Sequence, residues 1–326
     1  MDLPNLEHIQ TARARNSKLV HTTPIFGSKT LSDSFGCTFY FKAENFQKTG
    51  SFKVRGVLNR FAGLSQAEQE KGLITVSAGN HASALAWAAR SAQVAATVVM
   101  PTAASSAKVG AAKGYGAEVI LFGNSSVEAF EEMQRIQSAR QLTLVHPFDH
   151  PQIIAGTGTI GLELVEQIPD IDTVVVPIGG GGLIAGIAIA IKNLIPTASV
   201  IGVEPIGAAA MFQSLRVGSP VRLEQTDTIA DGLAAPFAGE LTLKAVQQYV
   251  DDLVLVNDSD IKQAMTFLLE RCKLLVEPAG AAGLAAVFAN KITLRPNSKI
   301  VIILSGGNVD LLRLSEFITL SPAIAS

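Results

Sequence analysis

Lys53 stands between a phenylalanine and a valine in the stretch NFQKTGSFKVRG, residues 45–56, where an apolar helical face begins. The run TGSFK sets polar residues and an aromatic ahead of Val54, Val57, Leu58 and Phe61, whose spacing defines that face. The lysine is therefore expected to point inward at the start of the helix. An amine that is partly desolvated and close to the positive end of a helix is biased toward its neutral, nucleophilic form, as imine chemistry requires.

Four consecutive glycines, Gly179, Gly180, Gly181 and Gly182, separate the strand-like TVVVPI from the helix-like LIAGIAIAIKNL. Bare backbone N–H groups at a helix N-terminus form a phosphate cradle, because the missing side chains let an anion approach and the helix dipole favours its charge. A tight strand-to-helix turn needs one glycine, not four. No Lys-Ser/Thr follows the run, so it is not a nucleotide P-loop. A buried amine and a phosphate cradle together point to pyridoxal phosphate as cofactor.

Two further stretches compete for attention. SAGNH, residues 77–81, offers a hydroxyl, backbone N–H groups, an amide and an imidazole at another strand-to-helix turn, and serves equally as a helix N-cap or as a carboxylate site. A Ser/His hydrolase is disfavoured there, since Ser77 lacks the Gly-x-Ser-x-Gly elbow. GTGTIG, residues 156–161, matches the dinucleotide pattern GxGxxG, but it follows HPQIIA, a poor strand, and position 181 holds a glycine where a ribose-binding acid belongs. We read it as a helix packing on small residues.

The elements that must position these groups alternate. GLITVS leads to NHASALAWAARSA and then AATVVMP; AEVILFG follows a short helix; TVVVPI leads to the glycine run, a helix and SVIGVEP; KIVIIL is followed by VDLLRLSEFI. Repeated βαβ units predict an α/β fold with mostly parallel, twisted sheets covered by helices on both faces. In such folds ligands collect at the carboxyl ends of strands, where SAGNH, GGGG and LSGGN all fall.

Bulk composition narrows the function classes. With 48% hydrophobic residues, 17% charged residues and a net charge of -2, the 326-residue chain has an ample core and no electrostatic reason to bind nucleic acid or an anionic membrane. Cys37 and Cys272 are far apart with no CxxC pair, which fits a reducing compartment and gives neither a disulfide framework nor a cysteine zinc site. The N-terminus has no signal-peptide run, and a cytoplasmic protein with a small-molecule ligand is expected.

SFKVRG, SAGNH, GGGGL, EPAGAAG and LSGGN, in this order and over nearly the whole chain, resemble the threonine dehydratase and serine racemase branch of the fold type II pyridoxal phosphate enzymes, whose fold is like that of the tryptophan synthase beta chain. The resemblance implies a large cofactor-binding domain, residues 1–71 and 150–326, interrupted by a smaller mobile domain, residues 72–149. It implies that Lys53 carries the cofactor in imine linkage and serves as the catalytic base, with Phe52 against the ring and Asn80 at its 3-oxygen. Gly179, Gly180, Gly181, Gly182 and Leu183 would hold the phosphate, and Ser305 would face the ring nitrogen. Ser77, Gly79, Asn80 and His81 would line the substrate carboxylate site. A homodimer or homotetramer is the implied assembly.

Departures from the racemase pattern select within the branch. Racemases of this kind carry a serine as the second residue of the Ser-Ser-Gly-Asn-His loop and an asparagine after His-Pro; this chain has Ala78 and Phe148. Both point to a dehydratase acting on L-threonine and L-serine, ahead of a serine racemase or a 3-hydroxyaspartate ammonia-lyase. A non-catalytic binding protein with this fold is disfavoured by the intact Lys53. The acid at EP is matched by Glu204, but Ala210 replaces the aspartate six residues on, so no metal site is expected and Glu204 is a weak candidate. Glu277 in EPAGAAG is assigned first to helix packing and second to cofactor contact. A regulatory domain of the biosynthetic threonine dehydratase type is not expected after LSGGNVD.

Overall fold

Alternate residues of the apolar runs point to opposite faces of the sheets they build, so both faces need a covering of helices. The computed structural model describes residues 1–318. Its larger sheet runs, in spatial order, β1 (Ile25–Gly27), β2 (Thr38–Ala43), β10 (Lys299–Leu304), β7 (Thr173–Pro177), β8 (Ser199–Pro205) and β9 (Asp252–Val256). Only the β1–β2 pair is antiparallel. In β7, Val174 and Val176 join a cluster with Ile184, Ile187 and Ile191 of helix Gly182–Leu194, while Val175 joins Ala281, Ala282 and Ala285 of helix Pro278–Phe288 on the opposite face.

A second sheet is built entirely from residues 73–144. Its spatial order is β5 (Glu118–Leu121), β4 (Ala96–Met100), β3 (Leu73–Val76) and β6 (Thr143–Leu144), all parallel. Helix Asn80–Ser91 covers one face through Ala82, Leu85 and Ala89, and helix Ser126–Arg140 covers the other through Ala129, Met133 and Ile136.

GTGTIG lies inside helix Pro151–Gln167 and packs on small residues, as its composition implies. A Cβ at Gly156 would come within 2.5 Å of the Arg55 carbonyl oxygen, and one at Gly158 within 2.9 Å of the Gly186 carbonyl oxygen. The glycines thus bring this helix against helix Lys53–Ala62 and helix Gly182–Leu194. VDLLRLSEFI departs from the expected continuous helix: it forms a 3-10 turn, Leu311–Arg313, and one helical turn, Leu314–Phe317. Leu311 and Leu312 are 69% and 90% exposed, so no apolar face is buried there to extend the helix. Among the described residues no helix is long and apolar enough to cross a membrane.

Candidate active site

The loop that delivers Lys53 is stitched to the loop after β10. Gly307 N–H donates to Gly50 O at 2.9 Å, Phe52 N–H to Ser305 O at 3.1 Å, and Asn308 Nδ2 to Thr49 O at 2.7 Å. The helix then opens with Lys53 itself. Lys53 Nζ points inward, donates to the Pro147 carbonyl at 2.9 Å and lies 5.1 Å from the centroid of the Phe52 ring. Burial pulls the amine down to about 8, against the opposing pull of Glu277.

Two residues along the same helix, Arg55 anchors it through a buried charge network. Its guanidinium donates to both oxygens of Glu44 at 2.8 Å each and to Glu163 Oε1 and Oε2 at 2.6 and 3.0 Å. Lys42 Nζ completes the set at 2.6 Å from Glu163 Oε2, with Thr23 O and Gln167 Oε1 each at 2.8 Å. Two cations and two carboxylates, all essentially inaccessible, balance one another and tie the Lys53 helix to β2 and to helix Pro151–Gln167.

The glycine run closes β7 and starts helix Gly182–Leu194. Gly181 takes φ 90, a left-handed conformation that glycine adopts without strain. A Cβ at Gly180 would run into the Phe148 ring, and one at Gly182 would meet Phe148 at 3.0 Å. Ala185 N–H reaches back to Gly181 O at 3.0 Å, and among the described residues the N–H groups of Gly179 to Gly181, ahead of the helix, donate to no protein acceptor. Unpaired N–H groups at a helix N-terminus suit a phosphate. A lysine amine, an aromatic ring and the Ser305 side chain line the same pocket. Anion cradle, amine and ring-sized apolar contact in one cavity fit pyridoxal phosphate.

SAGNH forms the turn between β3 and helix Asn80–Ser91 and lines the same pocket as the glycine run. Ser77 Oγ accepts from Gly79 N–H at 3.1 Å, while His81 Nε2 faces the Val145 carbonyl at 3.1 Å, so the two side chains make no nucleophile–base pair. Burial first, then the Lys53 charge, lowers the His81 imidazole to about 3, leaving it neutral. Asn80 Nδ2 donates to Glu277 Oε1, and Asn80 Oδ1 accepts from Asn308 Nδ2 at 2.9 Å.

Every cofactor and substrate residue named from the sequence lines this one pocket: Phe52, Lys53, Ser77, Gly79, Asn80, His81, Gly179 to Leu183 and Ser305. Glu204 does not. It is buried at the end of β8, where its two oxygens accept the Met211 and Phe212 N–H groups at 2.9 and 2.8 Å. Among the described residues no cluster of His, Cys, Asp and Glu suits a metal ion.

Of the other pocket residues, sequence reading gave Glu277 only a second assignment to cofactor contact and named none of Lys108, Asp231, Phe130 and Phe237. Glu277 occupies the N-cap position of helix Pro278–Phe288 without a side-chain capping bond and is 1% exposed; burial pushes its carboxyl up to about 7, with Lys108 pulling it back. Lys108 Nζ lies 2.5 Å from Asp231 Oδ2 and 3.8 Å from Glu277 Oε2. Phe130 and Phe237 complete an aromatic wall with Phe148. Only Glu277, inside EPAGAAG, had a local signal; Lys108, Asp231, Phe130 and Phe237 come from segments with none.

Comparison with known proteins matches residues 17–306 to the family of pyridoxal-phosphate dependent enzymes. An L-threonine ammonia-lyase of Thermotoga maritima is 46% identical over 94% of this chain and 76% of its own length. An L-threo-3-hydroxyaspartate ammonia-lyase of Saccharomyces cerevisiae is 40% identical over 98% of both chains. The structure of maize serine racemase superposes with a TM-score of 0.91 at 41% identity, covering 96% of each chain. With the glycine cradle and the inward lysine already in one pocket, the chain belongs to the fold type II pyridoxal-phosphate dependent enzymes, in the branch of threonine ammonia-lyases and serine racemases, and pyridoxal 5'-phosphate is its cofactor.

Proposed function

We propose that the chain is an ammonia-lyase that converts L-threonine to 2-oxobutyrate and L-serine to pyruvate, each with release of ammonia. The observation that carries this reading is the asymmetry around Lys53: an amine brought down to about 8 faces the pocket, while the SAGNH loop contributes the methyl of Ala78. When bound, pyridoxal phosphate supplies the electron sink that lets an amino acid lose its Cα proton. Gly179 to Gly182 and Leu183 would hold its phosphate, Lys53 its aldehyde, and Phe52, Asn80 and Ser305 its ring.

The chain's own groups do the rest. The N–H groups opening helix Asn80–Ser91, with Ser77 and His81 beside them, bind the substrate carboxylate. Lys53 Nζ receives the Cα proton. Racemisation requires a proton donor on the other face of Cα, and a methyl group at Ala78 donates none; loss of the β-hydroxyl is then the favoured outcome. Relatives with lyase and racemase names stand at similar identity, so this residue carries the choice. Assay of 2-oxo acid formation with chiral chromatography tests it. We expect 2-oxo acids with little D-serine, and turnover lower by orders of magnitude in Lys53→Ala. Abundant D-serine from the wild type sinks the lyase reading.

The same reading assigns residues 72–149 as a unit that closes on the substrate, supported by its separate sheet. It also assigns a cytoplasmic homodimer or homotetramer. Two free cysteines and the exposed, mutually packed rings of Phe26 and Phe46 support this. Sedimentation as a monomer would remove the oligomer.

A further inference from the structure

One wall of the pocket is mainly aromatic and aliphatic, with Ser126 its polar member. Phe130 of helix Ser126–Arg140 and Phe237, ahead of helix Glu240–Tyr249, pack edge to face with ring centroids 5.4 Å apart. Phe148 stands 5.6 Å from Phe237 and is steadied by the His146 ring at 4.7 Å. Ala234, Ala235 and Pro236 extend this surface. The glycine run, Lys53 and the SAGNH loop account for the phosphate, the amine and the carboxylate, which leaves this wall for the remaining substituent on Cα.

We infer that Phe130, Phe148 and Phe237 form the subsite for the substrate's β-substituent and select a small apolar group there over hydrogen or a carboxylate. The inference rests on the ammonia-lyase reading above and names its preferred substrate, L-threonine. Methyl burial against three rings is favourable, whereas a β-carboxylate would lose hydration against rings that donate it no hydrogen bond. Of the two lysines that line the pocket, Lys53 is taken by the cofactor in this reading, and Lys108 is 2.5 Å from Asp231 and 3.8 Å from Glu277. A third carboxylate there would join two carboxyl groups that already face the same ammonium.

Steady-state kinetics on L-threonine, L-serine and L-threo-3-hydroxyaspartate test the assignment. One methyl group in an apolar pocket changes kcat/KM by about 10-fold or more, so threonine should exceed serine by about that factor, with hydroxyaspartate last. In Phe237→Ala and Phe130→Ala the threonine-to-serine ratio should fall toward one; a ratio is insensitive to the fraction of active enzyme. Should the variants not fold, calorimetry on the wild-type holoenzyme with amino acids that carry no leaving group gives a second measure. L-2-aminobutyrate should bind more tightly than L-alanine, and L-aspartate most weakly. Serine equal to threonine, hydroxyaspartate as the best substrate, an unchanged ratio in Phe237→Ala, or tightest binding of L-aspartate would each overturn the subsite. Absence of turnover with that binding order intact would overturn the ammonia-lyase reading and leave the subsite standing.

Discussion

Lys53 and Glu277 share a pocket that suppresses charge on both, from opposite directions. Burial lowers the Lys53 amine to about 8 and raises the Glu277 carboxyl from 4.5 to about 7. For Glu277 the folded-state value lies above the unfolded one. Its stabilising contribution is therefore complete below about pH 4.5 and is lost as the pH rises through about 7. Lys53 acts in a different window, since its folded value lies below 10.5 and stability returns only as the pH rises from about 8 toward 10.5. Glu277→Gln keeps an acceptor for Asn80 and removes the titration. Between about pH 5 and pH 8 the wild-type Tm should fall relative to that of the variant, by an amount equivalent to about 3 kcal/mol at most. Parallel Tm curves would show that Glu277 does not titrate in this range. Lys53 and the glycine run were legible in the sequence because residue type and neighbours alone declare their chemistry. Glu277 was read as helix packing before cofactor contact because its place just ahead of the small-residue helix Pro278–Phe288 is local, whereas its contacts with Asn80 and Lys108 come from distant segments.

Helices and strands place Lys53 only because Arg55 fixes its helix. The βαβ alternation and the packing role of GTGTIG could be read from periodicity, since both faces of each sheet are buried by contiguous runs. The charge network could not: Lys42 and Glu163 meet at 2.6 Å across 121 positions, and nothing in the local sequence around either announces a partner. Its energetic weight lies in completeness. Arg55→Met would leave Glu44 and Glu163 in the interior with only Lys42 to oppose them. Removing one partner from a buried ion network costs about 3–5 kcal/mol. Denaturant melts of the holoenzyme should therefore show a loss of that size with an unchanged m-value. Arg55→Lys should recover only part of it, because an ammonium cannot reproduce the paired bonds to Glu44. A loss below about 1 kcal/mol in Arg55→Met would mean that the network is dispensable to the fold.

Across the whole molecule, the two sheets meet over the pocket, and several side-chain pairs join the smaller part to the larger, among them Ser105–Asp310, Glu131–Arg222 and Asn80–Asn308. Lys108, on helix Ser106–Gly114 beside the smaller sheet, reaches Asp231 in the 3-10 turn Asp231–Leu233 of the larger part. Asn80 reaches Glu277, and Phe130 reaches Phe237. If residues 72–149 close as a unit, the Lys108–Asp231 pair is a latch whose strength must be small enough to open on each turnover. Lys108 is 11% exposed and Asp231 46% exposed in their side chains, so water screens one partner and the pair contributes about 1 kcal/mol or less. That is about a fivefold change in the ratio of closed to open forms. Asp231→Asn should therefore speed amide exchange in helix Ser106–Gly114 by up to about fivefold, while exchange in β7 and β8 stays as in the wild type. Lys108→Met should do at least as much, since it also removes the Glu277 contact, and adding Asp231→Asn to it should change little more. Unaltered exchange in Asp231→Asn would remove the latch. Faster exchange spread equally over both sheets would instead report a general loss of stability and would argue against independent movement of the smaller one.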